Sequence, residues 1–252
     1  MKTLSFFSLL AVSAVMTAGL SLASETPNAQ PVIPKTAATT TPANSVIVAE
    51  LFTSQSCSSC PPAEALFSTL ADRDDLLTIE WHVDYWDDLF HGGSRWKDVY
   101  SSDAFTDRQR AYNRSLRGKS AVYTPQAIVN GRLEGVGSRR SEVSNMLDNA
   151  TTLSVPVQIE NDTAIIGPSK QSADILFVRL LEQHETNVKG GENKGRKLAG
   201  KNIVLEAQVL GQTGENSTEF TLPFVGEGET CAVLVQTVDY NVGPVLGAAK
   251  CG

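Results

Sequence analysis

The sequence predicts an α/β domain with a helical insertion, followed by a β-rich, sandwich-like C-terminal domain. Three observations carry that expectation. A β-type run, Val46 to Phe52, leads through a Cys57-Ser58-Ser59-Cys60 motif into a helical pattern. Strand and helix patterns then mix up to Thr151. Beyond Thr151 the texture changes to short β-type runs separated by Gly, Pro, Asn and Ser, about seven of them, as in a small sandwich.

Ahead of the first strand, Lys2, the mostly apolar run Leu4 to Leu20 and the small-residue site Ser21-Leu22-Ala23 read as a signal peptide over residues 1–23. A membrane anchor is the competing expectation, opposed by the interrupting Ser5, Ser8, Ser13 and Thr17. Residues 24–44, rich in Pro, Thr, Ala and Ser, read as a disordered spacer. The protein is therefore expected to be exported, periplasmic or secreted, with no membrane span once the signal is removed. A formal net charge of −7 argues against nucleic acid as a partner.

The two expected domains cover residues 45–151 and 152–252. In the first, Val46 to Phe52 is nearly continuous in apolar character, as a strand covered on both faces would be. Pro61 and Pro62 suit a first helical turn, and Leu66, Phe67 and Leu70 form an apolar stripe. Leu76 to Val83 is a second strand. Phe105, Tyr112 and Leu116 mark an amphipathic helix capped near Ser102 or Asp103. Gln126 to Asn130 and Arg132 to Val136 flank Gly131 as a hairpin, and Val143, Met146, Leu147 and Ala150 make a closing helix. In the second domain, strands are expected at Val155 to Ile159, Ala164 to Ile166, Asp174 to Leu181, Ile203 to Leu210, Glu219 to Leu222, Cys231 to Val238 and Val245 to Ala249. Lys189 to Gly200 reads as a mobile, Gly- and Lys-rich connection, without the spacing of a phosphate loop.

Two thiols separated by two residues at a helix start can exchange reversibly between dithiol and disulfide. Cys57 is the expected nucleophile, activated by unpaired N–H groups at the helix end, and Cys60 the resolving thiol. The same spacing also serves zinc sites and static staples. Zinc would need a second ligand pair, which Cys231, Cys251 and the three histidines do not offer by spacing. The economical pairing joins Cys57 to Cys60 and Cys231 to Cys251 as a structural disulfide. Symmetric pairing about Asn241 would set Cys231 opposite Cys251.

The strand, motif and helix, followed by Tyr123-Thr124-Pro125 and the hairpin, resemble the thioredoxin fold. That resemblance implies a cis bond before Pro125, with Thr124 and Pro125 docking an extended substrate; an ordinary trans proline at a strand start is the alternative. The stretches Glu50 to Ala63, Val83-Asp84-Tyr85-Trp86-Asp87, Tyr123 to Gln126, Val129-Asn130-Gly131 and Gly243 to Ala249 together resemble the secreted, thioredoxin-like domain-of-unknown-function 1223 family of bacteria. The family implies fold and envelope location, and no settled reaction.

Glu50, on the first strand, is read as a proton relay to the resolving thiol or, equally, as a solvated carboxylate at a sheet edge. Asp84, Trp86 and Asp87 form either an acidic, aromatic rim for a partner or a core tryptophan with capping aspartates. The leading functional expectation is thiol–disulfide exchange with protein or small thiols, or with an envelope redox partner, and without a cofactor. Two other classes stand beside it: copper handling by the cysteines with His82 or His91, and a binding module in which the motif only staples the chain.

Overall fold

The computed structural model describes residues 46–90, 93–238 and 242–252. The expected signal peptide and spacer, His91 and Asn241 lie outside the described residues. The architecture is mixed α/β: one large mixed sheet, a small second sheet and few helices.

The elements in chain order are β1 (Ile47–Thr53), α1 (Pro61–Leu70), β2 (Leu76–His82), α2 (Asp103–Arg117), β3 (Gln126–Val129), β4 (Leu133–Val136) and α3 (Arg140–Asp148). There follow β5 (Val157–Glu160), β6 (Thr163–Ile166), β7 (Asp174–Asn187), β8 (Lys197–Gln212), β9 (Thr218–Thr221), β10 (Glu229–Gln236) and β11 (Val245–Lys250). The eight-stranded sheet runs β11-β10-β7-β8-β2-β1-β3-β4, and β5-β6-β9 form the small one. β1 pairs parallel with β2 and antiparallel with β3. β8 joins parallel to β2 through Glu80 and Ile203. The expected boundary near Thr151 therefore does not interrupt the sheet: β7, β8, β10 and β11 extend it, and only β5-β6-β9 stacks against them as a second layer.

Strand alternation distributes the apolar residues between the two faces. Val48 and Phe52 of β1, with Leu77, Ile79 and Trp81 of β2, join Phe105 and Tyr112 of α2 and Val178, Val204, Ala232 and Leu234 from the C-terminal strands in one cluster. The alternate residues Ala49 and Leu51 pack with Leu66 and Phe67 of α1 and Val143 and Leu147 of α3. Toward the far end, Val157 and Ile166 of the small sheet cover Ile175, Phe177, Val233 and Val235.

Local chemistry explains the element ends. Ser102 caps α2, its hydroxyl accepting from Ala104 N at 3.3 Å, and Gly118 ends that helix at φ 67°. The β3–β4 turn uses Asn130 at φ 49° and Gly131 at φ 63°. A side chain at position 131 would also lie 2.6 Å from the Gly243 carbonyl oxygen, so the turn and the approach of the last strand both require glycine. Among the described residues, no helix is long and apolar enough to cross a membrane.

Candidate functional site

The segment between Thr53 and α1 is a chain of tight turns. Cys57 N donates to Ser54 O at 3.1 Å and Cys60 N to Cys57 O at 3.2 Å, which folds the two cysteines together. They are disulfide-bonded, with Cα atoms 5.4 Å apart. Cys60, in the helical region, is the N-cap of α1, so Cys57 stands three residues ahead of the cap rather than at the helix end itself. Pro61 and Pro62 occupy the first helical positions and carry no N–H, while Ala63 and Glu64 donate to Cys60 O at 2.8 and 3.2 Å. The helix end thus offers the Cys57 sulfur fewer donors than the motif alone suggests. The Ser59 hydroxyl, its Oγ 3.3 Å from Cys57 Sγ, can supply one when its single proton turns from the Thr124 carbonyl to the sulfur. Neither cysteine is more exposed than the other: both are 0 % exposed, and of the four motif residues only Ser58 and Ser59 face solvent.

The Thr124–Pro125 peptide bond is cis. Thr124 reaches the motif through Ser59, whose hydroxyl donates to Thr124 O at 3.5 Å. Half-buried Trp86 donates through Nε1 to Thr124 Oγ1 at 2.8 Å, so Trp86, Thr124 and the cysteine turn are brought together. The neighbouring aspartates tie down the insertion. Asp84 accepts from Thr106 Oγ1 at 2.6 Å, and Asp87 from Ser101 Oγ at 2.6 Å and Asp98 N at 3.1 Å.

Glu50 is not brought to the cysteines. It alternates with Ala49 and Leu51, which face α1, and so points to the α2 side of the sheet. There it is fully buried and accepts from Trp81 Nε1 at 2.9 Å, from Arg108 Nε and Nη2 at 2.9 and 2.8 Å, and from the Tyr112 hydroxyl. Arg108 also stacks on the Trp81 ring and reaches Gln236 Oε1 at 2.8 Å. This network rivets α2 to β1, β2 and β10, so both the proton-relay role and the solvated-carboxylate alternative are set aside.

The acids on the cysteine side are different residues. Glu64 lies four residues after Cys60, one helical turn on and on the same face, is 4 % exposed, and accepts from Thr53 Oγ1 at 2.6 Å. Burial pushes its carboxyl above the usual range. Glu80, fully buried on β2, has both carboxylate oxygens without a hydrogen-bond partner and is held well above the ordinary carboxylate range by burial and by Glu64. His82 pairs with Asp98 at 2.7 Å. Burial alone would lower the imidazole, but the Asp98 carboxylate overcomes this and raises it. Burial alone would raise Asp98, but His82 and the Gln55 and Tyr100 N–H groups hold it low. His184 of β7 is pushed down to about 4 by burial and by His82. The signal for this cluster was present in the sequence: Thr78, Glu80 and His82 alternate with Leu77, Ile79 and Trp81, placing polar groups on one face of β2. Among the described residues, no group of three His, Cys, Asp or Glu side chains could hold a metal ion.

At the other end of the sheet, Cys231 and Cys251 are disulfide-bonded, with Cα atoms 5.1 Å apart. The β10–β11 register pairs Ala232 with Lys250 and Val235 with Gly247, then shifts at Gln236, so a bulge interrupts the symmetric pairing only near the turn.

The sequence pattern of the family described as a protein of unknown function, DUF1223, matches residues 48–236. The chain belongs to that family. The matched stretch includes the Cys57–Cys60 turn, Trp86, Thr124 and the buried acids, and ends at Gln236 of the Arg108 network. The chain is similar to the crystal structure of protein AGR_C_4864 from Agrobacterium tumefaciens, at 30 % identity and a TM-score of 0.68, over 81 % of this chain and 93 % of that one. It is also similar to HBP35 of Porphyromonas gingivalis, at 14 % identity and a TM-score of 0.49, over 82 % of this chain and 74 % of that one. No curated protein matches.

Proposed function

We propose that the protein is an exported thiol–disulfide oxidoreductase that uses the Cys57–Cys60 pair on protein or small-thiol substrates. The observation that carries this reading is the disulfide at the start of α1, with Thr124 and Trp86 linked to it through Ser59. The order β2-β1-β3-β4, with β1 parallel to β2 and the β3–β4 hairpin antiparallel, supports a thioredoxin-like reading of the first half. Paired disulfides are compatible with export.

In the reduced protein, the Cys57 thiolate attacks a substrate disulfide. An S–S bond forms to Cys57 as the substrate's own S–S bond breaks and one substrate thiolate leaves. Cys60, deprotonated, then attacks Cys57 Sγ, closes the Cys57–Cys60 bond and expels the second substrate thiolate. Two electrons pass to the substrate. Glu64, buried one turn from Cys60 with a raised affinity for protons, is positioned to take the Cys60 proton. Electron flow in the opposite direction reverses each step. Thr124 and Trp86 would hold the substrate beside Cys57.

The experiment is a trap. Cys60→Ser should accumulate a mixed disulfide through Cys57 with a disulfide-containing substrate, and Cys57→Ser should not. Exchange at wild-type rate in both variants rejects the assignment. A second reading, a binding module in which the pair is a static staple, is favoured by the full burial of both cysteines; it predicts no mixed disulfide in either variant.

A further inference from the structure

We propose that the β7–β8 connection, through Glu192 and Asn193, is a displaceable cover over the Cys57–Cys60 disulfide that limits the rate at which thiols reach it. The inference rests on the thiol–disulfide reading and adds a regulatory element to the same site.

Asn193 is 0 % exposed, unusual for a polar residue in a connection between long strands. Its carboxamide donates to Gln55 O at 3.0 Å and Cys57 O at 2.8 Å, while its Oδ1 accepts from Arg196 Nη1 at 3.0 Å. Glu192 Oε2 accepts from Ser58 N at 2.9 Å. Consecutive residues of one loop therefore engage three backbone groups of the cysteine turn, including those on both sides of the Cys57–Ser58 peptide bond. At the flank, Thr186 Oγ1 accepts from Gln55 Nε2 at 3.0 Å. The chain can approach this closely because Gly191, at φ 68°, lies against Ser56 of the turn, where a side-chain carbon would sit 3.0 Å from Oγ; its neighbour Gly190 lies against Arg95 O, where one would sit 2.1 Å away.

The loop is built to move as a unit. It closes on itself through Gly195 N to Val188 O at 2.8 Å, Val188 N to Arg196 O at 2.9 Å and Arg196 N to Asn193 O at 3.0 Å. Lys189, Glu192, Lys194, Gly195 and Arg196 are exposed, and Val188 is the one large apolar side chain that residues 188–196 bury. With so little apolar surface at stake, its attachment depends on the polar contacts to the turn, and detachment costs less than opening the core. A thiolate must approach a sulfur directly, and both sulfur-bearing residues are wholly buried in the closed form. Exchange then proceeds from the open form, at a rate proportional to its population.

Reduction of the full-length protein by dithiothreitol tests this without any need for turnover. One dithiothreitol thiolate attacks a sulfur of the pair, forming a mixed disulfide and expelling the partner cysteine as a thiolate that takes a proton. The second dithiothreitol thiol closes its own ring disulfide and releases the first cysteine, so two electrons and two protons enter the pair. Alkylation and mass analysis of the Cys57–Cys60 peptide follow the rate, with Cys231–Cys251 as the internal reference. Asn193→Ala should accelerate reduction on the order of tenfold, and Glu192→Ala, which removes an exposed contact, about twofold to threefold. The reference disulfide should keep its rate. Equal Cys57–Cys60 rates in wild type and both variants overturn the cover alone, whereas a pair that resists reduction in every variant overturns the thiol–disulfide reading beneath it. Should Asn193→Ala fail to fold, Glu192→Ala decides by itself.

Discussion

At the scale of single residues, the site depends on side chains whose role comes from placement more than from type. Ser59 is small and neutral, yet its hydroxyl is the contact between the Cys57 sulfur and the Thr124 carbonyl. With Pro61 and Pro62 withholding backbone donors, Ser59→Ala should slow iodoacetamide alkylation of reduced Cys57 at neutral pH by about fivefold, the equivalent of one ordinary hydrogen bond. An unchanged rate would mean that backbone groups alone activate the thiol. Glu80 offers a test of sign. Its carboxyl is raised by burial and by Glu64, so folding favours the protonated form. That contribution is fully present below the usual carboxylate range and is lost as pH rises through the folded-state value. Glu80→Gln should flatten this dependence, leaving the variant more stable than wild type at pH 8 relative to pH 4 in urea titrations. His184, pushed down to about 4, acts in the opposite sense, costing stability as pH falls from 6.5 toward that value; its contribution should persist in Glu80→Gln.

Among the elements, α2 is attached to the sheet by a buried polar network as well as by apolar packing. It meets the sheet through Phe105 and Tyr112, but its position is specified by Arg108 against Glu50, Trp81 and Gln236. Such an ion pair need not add net stability over an apolar replacement, yet breaking one side leaves a buried charge unmatched. Glu50→Ala should therefore cost about 3–5 kcal/mol in chemical denaturation. Because Glu50 lies on the sheet face away from α1, the reduction potential of Cys57–Cys60 in the folded variant should stay at the wild-type value. A shifted potential at unchanged stability would return Glu50 to the redox machinery.

Over the whole molecule, the large sheet joins regions that differ in sequence texture. Val178, Leu180, Val204, Ala232, Leu234 and Val245 share a core with Val48, Phe52 and Trp81. A fragment ending near Thr151 would expose that shared surface along with the open edge of β2. We predict that residues 45–151 alone give no cooperative urea transition by circular dichroism, while the full chain unfolds in one; an independently cooperative fragment would support two domains divided near Thr151. Much of the fold was nonetheless legible along the chain. The strand before the cysteines, the prolines opening α1, the Ser102 cap and the Asn130-Gly131 turn are local, set by backbone propensity and side chains a few residues away. The C-terminal disulfide was legible for a similar reason, since β10 and β11 are neighbours in the chain. Three matters were decided only in three dimensions. Which face of β1 carries Glu50 depends on strand phase relative to α1 and α2. The union of the halves depends on β8 finding β2, which lies more than a hundred residues earlier. And the loop read as a mobile connection meets the cysteine turn across 134 and 136 residues of sequence. Local sequence determines conformation within a few residues, whereas long-range pairing is selected by the shared burial of surfaces that no short window contains.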